Sequence, residues 1–276
     1  MMARAPVEMK KMAVIEKPKN LEELRTQFLA EYDQDKAETV WSKQSAEFRT
    51  FWDDKVSGGE GLSREDMDYV IRFLDSHAKG IADSDAEPAC NPVIPQGSWY
   101  RIFEELKRNK KLCKLVTSIL RCESDDEQVE LLNQLYSVNR EKNRLTGKNA
   151  NMINDLMFVY NPRKNLSDVS LGNRFKIIDA LGLGDSSQIR GKSWGEQIVF
   201  SRKAIMKLLE EHPFKNTRSL SKFLYSPGIV QLWSDEEAAP SGEDAEFDER
   251  LEEGGFFDIP VGERKIITDG GSDPTI

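Results

Sequence analysis

Apolar positions recur at helical spacing through most of this chain. Leu21, Leu24, Phe28 and Leu29 predict a first helix, with Asn20 placed as its N-cap. A second carries Val40, Trp41, Phe48, Phe51 and Trp52 and should end near Gly58-Gly59. A third begins at Ser63, where Ser63-Arg64-Glu65-Asp66 resembles a capping box, and buries Met67, Val70, Ile71 and Leu74. Residues 79–97 hold Gly80, Pro88, Pro92, Pro95 and Gly97. Proline has no N–H to give a helix, so this stretch reads as a loop and a boundary.

The pattern then tightens. Ser98 reads as the cap of a helix carrying Trp99, Ile102, Phe103 and Leu106, and Leu112, Leu115, Val116, Ile119 and Leu120 mark the next. Ser124-Asp125-Asp126-Glu127 is a capping box ahead of Val129, Leu132, Leu135 and Tyr136. Residues 149–160 are apolar on most of their surface and stop at Asn161-Pro162. They predict a central helix, with a short buried strand as the alternative. Ser170 precedes Leu171, Phe175, Ile178 and Leu181, and Gly182 or Gly184 supplies the stop. Ser193-Trp194-Gly195-Glu196 is a further capping box, ahead of Ile198, Ile205, Leu208 and Leu209. A short helix over 216–225 precedes Pro227-Gly228 and Trp233.

No alternating strand series and no repeat of fixed period is present. The expected fold is all-α, a multi-helix orthogonal bundle with at most a minor β element. Its parts are a flexible N-terminus (1–19), a small helical subdomain (20–78), the Pro/Gly-rich loop (79–97) and a main helical domain (98–233). Residues 234–255 are acidic with almost nothing apolar, which predicts a disordered tail. The tail, 234–276, reads as an acidic linker leading to a domain beyond Ile276.

Charge changes the picture. The net charge is −9. Residues 1–100 hold 13 Lys and Arg against 19 Asp and Glu, net −6; residues 101–233 hold 23 against 15, net +8; residues 234–276 hold 3 against 14, net −11. The acidity thus lies at both ends and the middle is basic, a distribution that suits an anionic partner for the middle. Arg108, Lys110, Lys111 and Lys114 cluster, as do Arg140, Lys142, Arg144 and Lys148; Arg163, Lys164, Arg202, Lys203 and Lys207 follow. If they converge on one face they can neutralise phosphates. A solvated helix face is the competing reading.

Other chemistry is thin. His77 and His212 are far apart and lack metal-ligand spacing. Cys90, Cys113 and Cys122 form no CxxC pair, so reduced thiols are expected. Thr146-Gly147-Lys148-Asn149 lacks the upstream glycine and following hydroxyl of a phosphate loop. Leu181-Gly182-Leu183-Gly184-Asp185 resembles the hairpin of helix-hairpin-helix modules, although glycine after a helix is commonly a C-cap. No cofactor motif, catalytic residue or metal site is read. No run approaches the roughly 18 apolar residues of a membrane span, and no signal peptide is read, so the expected compartment is the cytoplasm.

Residues 256–276, with Ile259-Pro260, Glu263-Arg264-Lys265-Ile266-Ile267-Thr268 and Asp273-Pro274-Thr275-Ile276, resemble the segment just before the ParB-like nuclease domain of GmrSD-type restriction proteins. Asn154 to Pro162 and Ser219 to Trp233 are similar to helical domains that precede nuclease or NTPase domains in bacterial phage-defence proteins. The resemblance implies a non-catalytic recognition or regulatory module of a modification-dependent restriction nuclease. Its partners would be DNA, reached through the basic middle, and a downstream nuclease domain or protein. The rival reading is a stand-alone protein-interaction scaffold with Trp41, Trp52 and Trp233 as anchors.

Overall fold

Helical periodicity is realised in the segments that carry it. Among the described residues of the computed structural model (21–58, 62–74, 94, 96–139, 143–167 and 170–234) there are twelve α-helices and no strand. The fold is therefore all-α. In chain order the helices are α1 (Leu21–Glu31), α2 (Gln34–Phe51), α3 (Arg64–Leu74), α4 (Gln96–Arg108), α5 (Lys110–Arg121) and α6 (Asp125–Asn139). After them come α7 (Asn151–Tyr160), α8 (Leu171–Ala180), α9 (Ser186–Arg190), α10 (Trp194–Glu211), α11 (Thr217–Leu224) and α12 (Pro227–Trp233). A π-helical turn, Trp52–Ser57, extends α2, and a 3-10 turn, Arg144–Thr146, stands before α7.

Local capping chemistry explains several of the boundaries. Ser193 and Glu196 form a reciprocal capping box at α10. At α3 the Ser63 N–H donates to Asp66 at 2.8 Å and the Asp66 N–H donates to Ser63 Oγ at 3.0 Å. Ser124 Oγ accepts the Glu127 N–H at 3.4 Å, and Ser170 Oγ accepts the Asn173 N–H. Gly182 ends α8 in the left-handed region at φ 64°. The Leu183 N–H then reaches Ile178 O at 2.9 Å and the Gly182 N–H reaches Asp179 O, which is a Schellman closure. Ser98 departs from expectation. Helix α4 starts two residues earlier, and Ser98 is buried inside its first turn. Asn20 and residues 79–93 lie outside the described residues.

Two apolar clusters hold the helices together. The first surrounds α7, in which every residue from Met152 to Tyr160 is buried, so residues 151–160 form the central helix. Trp41, Trp52, Phe103, Val116 and Leu132 pack into it. The second joins Leu21 to Ile177, Ile205, Leu220, Phe223 and Ile229. Helix α10 serves both, giving Ile198 and Val199 to the first and Ala204, Ile205 and Leu208 to the second. Each fully buried side chain of this size contributes about 1.5–3 kcal/mol. Residues from 41–74 share the first cluster with residues from 94–199, so packing is continuous across the proline-rich segment.

Candidate nucleic-acid interface

Helix α5 has a sharp division of faces. Leu112, Cys113, Val116, Thr117, Ile119 and Leu120 are buried. The exposed positions are Lys110, Lys111, Lys114, Ser118 and Arg121, and the helix contains no carboxylate. Asn109 caps it, accepting the Leu112 N–H at 3.1 Å. Arg121 is tied to Asp53 of the π turn at 2.6 Å. At the neighbouring end of α4, Arg108 sits 3.3 Å from Glu104, and Lys107 Nζ donates to Leu62 O at 2.8 Å. Lys110, Lys111 and Lys114 have no ion-pair partner among the described residues.

Position gives these lysines further meaning. Lys107 and Arg108 occupy the last turn of α4, where the helix dipole favours cations. Lys110 and Lys111 occupy the first turn of α5, the positive end, where each is disfavoured by about 0.3–1 kcal/mol. The C-terminus of α4, one residue away, offsets part of this. Helix stability alone does not account for cations there.

Three other candidates share a different fate. Asp125, in the first turn of α6, gathers Arg202, Lys203 and Lys164. Arg202 bonds Asp125 Oδ1, Lys203 Nζ lies 3.1 Å from Oδ2, and Lys164 Nζ is 3.8 Å from Oδ1. The Arg202 side chain is only 3% exposed, and Nη1 also donates to Gln128 at 2.7 Å and Asn165 at 2.9 Å. Lys164 Nζ donates to the carbonyls of Cys122 and Glu123 at 2.9 and 2.7 Å. Burial opposes ionisation of Asp125. The Lys203 hydrogen bond and the charges of Arg202, Lys203 and Lys164 outweigh it and hold the carboxyl below the usual carboxylate range. Burial first, then repulsion from Arg202, pushes Lys164 below the usual lysine range. Arg202 and Lys164 therefore tie α10, α6 and the turn after α7 together, and only Lys203 of the three faces solvent.

The remaining candidates disperse. Lys148 is exposed and Arg144 half-buried, on a turn that packs against α4 through the Asn143–Glu105 hydrogen bond. Arg163 is exposed, 3.8 Å from Glu38, at the rim of a polar cleft between α2 and α11. Arg140 and Lys142 lie outside the described residues.

Other features resolve structurally. Gly182 is a helix stop, as described, and His212 is the C-cap of α10, its Nδ1 3.4 Å from Glu22. Trp41 and Trp52 are buried, and Trp52 Nε1 donates to Thr117 Oγ1 at 3.1 Å, so neither presents a surface anchor. Trp233 is half-buried against Tyr225 and donates to Leu224 O. Cys113 and Cys122 are buried free thiols. Among the described residues no group of three or more His, Cys, Asp and Glu side chains is placed to hold a metal ion, and no helix is long and apolar enough to cross a membrane.

Sequence reasoning missed Asp125, which it placed only as part of a cap, and Arg49, Lys215 and Arg218 of the polar cleft. No local signal marks them, since their partners come from distant segments. Comparison with known proteins returns no match among protein families, curated proteins or solved structures.

Proposed function

We propose that this chain is a non-catalytic helical recognition module that contacts DNA through the outer face of α5. One observation carries the reading. A helix of 12 residues buries its apolar side and turns Lys110, Lys111 and Lys114 to solvent, with no carboxylate anywhere along it. From Lys110 to Arg121 the face runs roughly 16 Å at about 1.5 Å per residue. Unneutralised lysines on a rigid helix neutralise phosphates and release counterions, which gives affinity that falls steeply with salt. The net charge of +8 over residues 101–233 supports the same partner. The resemblance of residues 256–276 to the approach of a nuclease domain supports a regulatory place within a modification-dependent restriction nuclease.

Fluorescence anisotropy of the full chain with labelled duplex DNA, titrated at several salt concentrations, tests this. The log–log salt slope should fall by about 3 when Lys110, Lys111 and Lys114 are changed to alanine together, at about 0.9 per lost phosphate contact. A salt-independent affinity, or unchanged binding in the triple variant, refutes the α5 face. Parallel titrations with base-modified and unmodified duplexes test the restriction role; equal affinity for both removes modification-dependent recognition.

A further inference from the structure

We draw no further inference here: the strongest candidate, the open groove lined by Phe51 of α2, Asp54 of the π turn and Tyr69 of α3, is a largely apolar face without a partner, and nothing in the structure shows what covers it.

Discussion

Replacing Asp125 with alanine should destabilise the fold by about 2–3 kcal/mol at neutral pH. Removing one partner of a fully buried ion pair costs about 3–5 kcal/mol, because the other charge is left uncompensated. Arg202 meets that condition at 3% side-chain exposure, whereas Asp125 is 30% exposed. The solvent around Asp125, and the Gln128 and Asn165 bonds that Arg202 keeps, bring the cost below the buried range. Lys203, 57% exposed, adds little, as surface pairs do. For a fold of this size the melting temperature should drop by roughly 4–12 °C. Urea denaturation followed by far-ultraviolet circular dichroism measures the change, with Asp126→Ala as the control. Asp126 is exposed in the same first turn, so the helix-dipole contribution cancels in the comparison. In an Arg202→Met background the Asp125 change should cost at least about 1 kcal/mol less, as coupled pairs show. Acid adds a second reading. The folded carboxyl is lowered, so its stabilising effect is complete above the unfolded value of about 3.9 and is lost as pH falls through the lower folded value. The gap between the unaltered chain and Asp125→Ala should therefore hold steady from about pH 5 to 8 and close below about pH 4. Equal stability of the Asp125 and Asp126 variants would refute the account of Arg202 as a structural cation.

Other perturbations address close packing and capping. At Gly195 an added Cβ would stand 2.4 Å from Val129 O and 3.1 Å from Leu132 Cβ, where α10 meets α6. Gly195→Ala should cost about 2 kcal/mol or more through overpacking, and thermal melting indistinguishable from the unaltered chain would contradict that close approach. Gly182→Ala should cost about 1–2 kcal/mol at φ 64°, with Gly182→Asn less damaging; equal losses in urea titrations would argue against the left-handed stop. Ser193→Ala should cost about 1 kcal/mol by opening the capping box, and Ser193→Thr should recover most of it in the same assay.

Ten of the twelve described helices and their order were legible in the sequence because periodicity and capping act over three or four residues. Ser63, Ser170 and Ser193 announce their helices for that reason, and the all-round apolarity of residues 151–160 marks the central helix. Helices α9 and α12, of five and seven residues, are too short for an apolar repeat to mark them. The fate of each cation was not legible. Arg202 and Lys203 are adjacent in sequence, yet a rotation of about 100° per residue turns one into the interior and leaves the other in solvent. The carboxylate that claims them comes from α6, a pairing no local pattern encodes. Trp41 and Trp52 have the aromatic character of surface anchors, and only packing against Phe158 and Phe103 shows them to be core. The polar cleft assembles Arg49 from α2 with Lys215 and Arg218 from near the other end of the described chain. What the sequence alone determined is an all-helical body with a basic middle. Which of its charges hold the fold, and which remain free to meet a ligand, was decided by tertiary contact, because pairing and desolvation depend on distances in space.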